Sequence, residues 1–202
     1  MSQLIDQDAR AVAVTLAVLA EPRVPARADL DRPTPCAGWT VADLLAHCTV
    51  QQRGFARAAV GERTSIADWQ PTAAEDPVAA YRVACAEVTG AFAVLTAPDA
   101  PLHLPEIGSE PFPARLALGF HLVDNVVHAW DLAAALGRPV SFDEDVLAAD
   151  LEVARAVPDD ERRGRPGAAF ARRRPVPPGT DPLGETLLLL GRDPQWAVGA
   201  TG

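Results

Sequence analysis

The sequence predicts an all-α protein, a four-helix bundle with one or two short additional helices at its C-terminal end. Three observations carry the prediction. Four long stretches place apolar residues at the three-to-four-residue spacing of a helix that buries one face. Each stretch is bounded by residues that start or stop helices, and the period-two alternation of a half-buried strand has almost no support. Hydrophobic residues make up 49% of 202 residues but aromatics only 5%, so a substantial core must be filled mainly by small Ala and Leu side chains, which favours closely packed helices. Residues 1–202 read as one helical domain, with a core bundle over about 1–138 and an appendage over about 139–202.

The first helix is expected from about Leu4 to Ala20, with Ile5, Ala9, Val12, Leu16 and Leu19 on one side, ended by Glu21-Pro22. A loop rich in Pro, Arg and Asp leads to Trp39. Thr40 is then a good N-cap, and Asp43 three residues later completes a variant of the capping box that opens a second helix, Val41 to Ala59, closed by Gly61. Asp76-Pro77 starts a third helix that continues through Leu95, with Pro at the first helical position where its missing N–H costs nothing. Pro101, Pro105, Gly108 and Pro111 then break the chain into a loop with one short extended piece; His103 within it reads as a solvated loop histidine or as part of a lid. The fourth helix spans Pro113 to Gly137, the glycine standing at C′. Ser141 or Asp143 caps a fifth, stopped by Pro158. Asp181-Pro182 caps a last short helix, GETLLLLGR, after which the indole of Trp196 is expected to pin the tail.

Charge and composition exclude several classes of function. A net charge of −9 argues against a nucleic-acid partner, because releasing counterions from phosphates needs a basic face. The one basic concentration, Arg162, Arg163, Arg165, Arg172, Arg173 and Arg174, reads as a solvated loop or as a recognition element for an anionic substrate. No apolar run approaches the ~20 residues of a membrane span, and MSQLIDQDAR has neither a basic n-region nor an apolar h-region, so a cytoplasmic protein without a membrane partner is expected. Cys36, Cys48 and Cys85 are odd in number and lack C-x-x-C spacing, which points to reduced, mostly buried thiols.

The fourth helix carries the chemistry. Nearly every residue from Leu116 to Leu136 is apolar, yet His121, Asp124, Asn125, His128 and Asp131 fall within an arc of roughly 120° at 3.6 residues per turn. Such a line must be paired when buried. Asp124 and His128, four apart, lie one turn above each other and offer two metal-ligand types on one face. On the second helix His47 sits on or beside the buried face; alone it reads as a hydrogen-bonded core histidine or as a ligand. If the two helices pack together, two imidazoles and one carboxylate converge. Three protein ligands leave a position open, as in catalytic zinc sites, and the same set suits ferrous iron. The alternative is a hydrogen-bonded polar network without metal.

Other residues are candidates for the surroundings. Metal-bound imidazoles usually donate their second N–H to a carboxylate or carbonyl. Asp43, one turn before His47, and Asp131, one turn after His128, are placed for this, against helix capping for Asp43 and a structural hydrogen bond or ion pair for Asp131. His121 reads as a base or substrate contact; the ~10 Å that separates it from His128 along the axis disfavours it as a fourth ligand. Asn125 has no assigned role.

The run Pro33-Thr34-Pro35-Cys36-Ala37-Gly38-Trp39-Thr40-Val41 leading to Asp43-Leu44-Leu45-Ala46-His47, together with Asp124-Asn125-Val126-Val127-His128-Ala129-Trp130-Asp131-Leu132-Ala133, resembles the mycothiol-dependent maleylpyruvate isomerase family of the DinB-like superfamily. The closing Leu190-Gly191-Arg192-Asp193-Pro194-Gln195-Trp196 resembles a subgroup described as metal-binding proteins. The resemblance implies a DinB-like four-helix bundle holding one divalent ion, most commonly Zn2+ with Fe2+ or Ni2+ as alternatives, through a histidine of the second helix and a carboxylate-x-x-x-histidine pair of a later one. Those positions match His47, Asp124 and His128. It further implies a thiol transferase or isomerase that activates a low-molecular-weight thiol such as mycothiol toward an electrophilic small molecule, and a homodimer. Asp124 stands where the isomerase pattern often has Glu, and the separate C-terminal domain of the full isomerase is not expected here. A non-catalytic metal-binding bundle with a structural, sensing or partner-binding role is the alternative.

Overall fold

The computed structural model describes residues 1–20, 22–165 and 168–199. Its helices are α1 (Ser2–Ala20), α2 (Arg27–Leu30), α3 (Val41–Ala59), α4 (Pro77–Ala93), α5 (Ala114–Leu136), α6 (Glu144–Ala156) and α7 (Pro182–Leu189). A 3-10 turn spans Ile66–Trp69, and strands β1 (Pro101–Leu102) and β2 (Phe112–Pro113) form a two-stranded antiparallel ladder pairing Pro101 with Pro113 and Leu102 with Phe112. The architecture is all-α, with α1, α3, α4 and α5 as the four long helices. Among the described residues no helix is long and apolar enough to cross a membrane.

Local chemistry sets the ends of these helices. Thr40 Oγ1 accepts from Asp43 N while Asp43 Oδ2 accepts from Thr40 N, so two of the free N–H groups at the start of α3 are satisfied reciprocally. Asp76 accepts from Ala79 N at the start of α4, and Asp181 from Gly184 N at the start of α7. Gly137 ends α5 at φ +66°, a left-handed conformation that glycine adopts without steric cost. Structure and sequence expectation differ at several points. α4 ends at Ala93 rather than Leu95. The loop before Trp39 contains the single turn α2, and the proline-rich segment after α4 closes into the β1–β2 ladder over a core that includes Leu102 and Leu104. α7 stops at Leu189, which leaves Arg192 beyond the helix rather than in it.

α5 is the axis. Most of its residues are buried, with α1, α3, α6 and the α7 region around it. At one end Leu44, Leu45 and Cys48 of α3 and Tyr81 of α4 pack with Leu132 and Leu136; at the other Phe55, Val88 and Phe92 pack with Ala117 and Leu118. A third cluster puts Ala154 of α6 and Leu187 and Leu190 of the α7 segment on Val123, Val127 and Trp130, with Trp196 packed against it. A helix apolar over most of its surface is thus buried along most of its length, with its polar line facing α1 and α3.

Candidate metal centre

α3 and α5 run in opposite directions, since His47 meets His128, Gln52 meets Asn125 and Phe55 meets His121. The polar line of α5 therefore lies along α3 and divides into two groups. The deeper one is a sealed network. His121 Nδ1 lies 2.7 Å from Asp8 Oδ1 of α1, and its Nε2 lies 2.9 Å from Gln52 Oε1; Gln52 donates to Asn125 Oδ1 at 2.8 Å, and Asn125 donates to the His121 carbonyl at 2.8 Å. All four side chains are buried. His121 is thus committed to the core, and Asn125 supplies the link that orients the Gln52 amide.

The second group is open. Ligand atoms of His47, Asp124 and His128 all lie within 4.8 Å of one another. His128 Nε2 is 3.3 Å from Asp124 Oδ1, and the His47 and His128 rings stand edge to face with centroids 5.2 Å apart. The Asp124 side chain is 23% exposed, so solvent reaches the group. His128 Nδ1 faces away, 2.9 Å from Asp131 Oδ2. Asp131 is fully buried and also accepts from Arg192 Nε and Nη2, both at 3.0 Å, and from Cys36 Sγ at 3.2 Å. Asp43 lies in the capping box of α3, and among the described residues no hydrogen bond joins it to His47.

Electrostatics sorts these groups further. Burial drives the pKa of His47 down to about 4 against the pull of Asp124, which leaves a neutral imidazole. Burial also works against charge on His128, but Asp124 and Asp131 outweigh it and hold that pKa well above its ordinary value. Asp124 answers: despite burial, the charges of His128 and His47 bring it down to about 2. Burial pushes the Cys48 thiol far up, so this neighbour of His47 is an inert core residue.

The geometry can be tested against an ion. Tetrahedral zinc with ligand bonds of about 2.0–2.1 Å separates its donor atoms by roughly 3.3–3.4 Å, and the Asp124–His128 edge has that length. His47 makes no hydrogen bond among the described residues, which leaves its ring nitrogens available beside that edge. A neutral imidazole, a carboxylate and a second imidazole whose far nitrogen is held by a carboxylate form a donor set that fits a divalent ion.

A family model described as the mycothiol maleylpyruvate isomerase N-terminal domain matches residues 9–133. The chain belongs to that family. Two uncharacterized proteins from two strains of Mycobacterium tuberculosis are each 34% identical to it over 173 residues, covering 82% of this chain and 87% of theirs. No solved structure matches. The part matched to the mycothiol maleylpyruvate isomerase N-terminal domain family contains His47, Asp124, His128 and Asp131, while Arg192 lies outside it.

Some residues of the site had no assigned role in the sequence. Arg192 and Cys36 reach Asp131 from 61 and 95 positions away, and no local spacing signals such contacts. Glu106, carried by the β1–β2 loop, accepts a hydrogen bond from the Gln51 amide one turn beyond His47, and burial with the nearby Asp124 charge raises its pKa. A groove of about 410 Å3, lined by Trp39, Asp43, Ala46, Pro71 and Pro77, runs along α3, and the Trp39 ring at its edge lies 4.9 Å from that of His47. In the arginine-rich segment, Arg163 is buried and donates to the carbonyls of Pro158 and Leu189, Arg173 donates to that of Val157, and Arg162 and Arg174 pair with Asp160 and Asp193. Much of that basic charge holds the chain together locally.

Proposed function

We propose that this protein binds one divalent metal ion, Zn2+ first and Fe2+ or Ni2+ as alternatives, through His47, Asp124 and His128, and acts as a thiol transferase or isomerase with mycothiol as cosubstrate. The observation that carries this reading is the convergence of those three side chains from α3 and α5 at a solvent-reachable point, in a chain of the mycothiol maleylpyruvate isomerase N-terminal domain family. A zinc ion in such a site lowers the pKa of a bound thiol and so supplies a thiolate nucleophile at neutral pH.

The chain's own residues supply the rest. His47 presents a neutral nitrogen. Asp131 holds the Nδ1–H of His128, which leaves Nε2 directed toward Asp124. Three protein ligands leave room for the thiol, and the groove beside Trp39 is the place we assign to the body of that cosubstrate. Glu106 stands on the Gln51 side of the centre, near Asp124. Residues 1–202 are proposed to work as one domain, because the segment after α7 delivers Arg192 to Asp131.

The test begins with untagged protein prepared without chelator. About one zinc per chain is expected, lost in His128→Ala. Calorimetry of the zinc-loaded and metal-stripped protein with mycothiol then separates the steps: binding to the loaded form alone supports the proposal. Absence of stoichiometric metal removes it altogether, and metal without thiol binding leaves a structural or sensing role.

A further inference from the structure

Two sets of donor atoms meet at His128. One is His47, Asp124 and His128; the other is Cys36, His128 and Asp131, and the atoms of each lie within 4.8 Å of one another. The second set contains sulfur and carboxylate as well as imidazole, so ligand type does not disfavour it for zinc. Its occupant differs. Arg192 extends into it, donating through Nε and Nη2 to Asp131 at 3.0 Å and through Nη2 to Cys36 Sγ at 3.2 Å, with only 10% of its side chain exposed.

The backbone holds the guanidinium there. Gly191 turns the chain at φ +82°, where a Cβ would lie 2.7–2.8 Å from Ala171 atoms, and Arg192 N donates to Leu187 O at 2.8 Å. The next residue therefore leaves the end of α7 in one direction. A fixed cation thus contacts both Cys36 and Asp131, the two residues that distinguish the second set from the first.

We propose that Arg192 is a positioning residue that selects which nitrogen of His128 meets the metal, by filling the Cys36–Asp131 side and leaving only the His47–Asp124 side open. The proposal rests on the metal reading above. Its logic is exclusion combined with orientation. The guanidinium binds Asp131 through two donors, and Asp131 so held accepts Nδ1–H of His128; a nitrogen that donates that proton has no lone pair for an ion. Nε2 is then the ring nitrogen turned to the Asp124 side. Without the guanidinium, Asp131 and Cys36 lose their cation, and a divalent ion supplies the missing charge together with bonds to the carboxylate, the sulfur and Nδ1.

Cobalt(II) is the probe, because a cobalt–thiolate bond gives a near-ultraviolet charge-transfer band that nitrogen and oxygen donors do not. Wild-type protein is expected to take up one cobalt without that band. Arg192→Met, shown to be folded by circular dichroism, is expected to show it, and Arg192→Met/Cys36→Ser to lose it. A folded Arg192→Met protein without the band overturns the proposal, as does a sulfur band in the wild type. Should the methionine variant fail to fold, Arg192→Gln, which keeps a donor without the charge, is read by the same criterion. Wild-type protein that takes up no cobalt removes the metal reading itself and this inference with it, an outcome distinct from the other two.

Discussion

One imidazole spans two carboxylates of its own helix: His128 presents Nδ1 to Asp131 at 2.9 Å and Nε2 to Asp124 at 3.3 Å. The first partner is fully buried and the second reaches solvent, so the two ends of the ring have different tasks. Asp131→Asn keeps the size of the side chain but removes the charge that orients Nδ1–H. Loss of such a partner typically weakens metal binding by about 10–100-fold. A chelator competition titration with zinc should show that loss, and an unchanged affinity would mean that Asp131 serves the fold alone.

Gly54 of α3 lies under the indole of Trp69, and a Cβ there would come within 2.6–2.7 Å of ring atoms. Trp69 is buried, and its Nε1 donates to Thr64 Oγ1 at 2.8 Å, so the ring is held on two sides. Gly54→Ala ought to stabilise an exposed helix, since alanine has the higher propensity. Overpacking should win here and cost about 1–3 kcal/mol, read as a lower urea midpoint. A neutral or stabilising result would show that Trp69 swings away freely.

Asp150 of α6 gives the protein a pH dependence unrelated to the candidate centre. Its Oδ2 accepts from Thr186 Oγ1 at 2.6 Å, but its buried Oδ1 has no hydrogen-bond partner among the described residues. Burial pushes its pKa up to about 7, against the opposing effect of Thr186. The folded state therefore keeps a proton that the unfolded chain releases near 3.8. Stability from this group falls as pH rises from about 4 to about 7 and is level above that, by up to ~4 kcal/mol at ~1.4 kcal/mol per pKa unit. Asp150→Asn should flatten that decline, although its amide leaves a buried donor unpaired at a cost of about 1–3 kcal/mol. Urea unfolding at pH 4.5 and pH 8 should place the variant's gain at the higher pH only; parallel curves for the two proteins would contradict the assignment.

Features written in local sequence were legible, and features set by distant partners were not. The Thr40–Asp43 box, the Asp76 and Asp181 caps and the left-handed Gly137 each involve residues within a few positions, so spacing predicts them. The polar line of α5 was likewise visible, because periodicity places its members on one face. How that line divides was not visible. His121 is claimed by Asp8, 113 positions away, and Asp131 by Arg192, 61 positions away, and these pairings depend on how α1 and the α7 segment pack against α5. The short α2 has no periodic pattern long enough to register, and of the two-residue strands the loop's single expected extended piece matches β1 but not its pairing with β2.

The Asp8–His121 pair offers the sharpest test of that division. Asp8 and His121 are 2% and 0% exposed, and the ring is packed between Phe55 and Phe92, with centroids 4.8 and 5.0 Å away. Because Asn125 donates to the His121 carbonyl, its oxygen faces the Gln52 amide nitrogen, and Gln52 therefore turns its own oxygen to Nε2. Asp8 Oδ1 and Gln52 Oε1 thus each lie within hydrogen-bond reach of a ring nitrogen, and the Asp8 contact is a short polar contact in a sealed core. Removing one partner leaves a buried polar group of the other unpaired, which typically costs about 1–3 kcal/mol. Asp8→Ala and His121→Leu should each destabilise by that order. The double variant should cost less than their sum by more than ~1 kcal/mol, as coupled contacts do. Zinc stoichiometry should stay the same in any variant that folds, since His121 stands outside the donor set. Additive losses would deny the coupling between Asp8 and His121, and loss of metal with retained fold would return His121 to the centre.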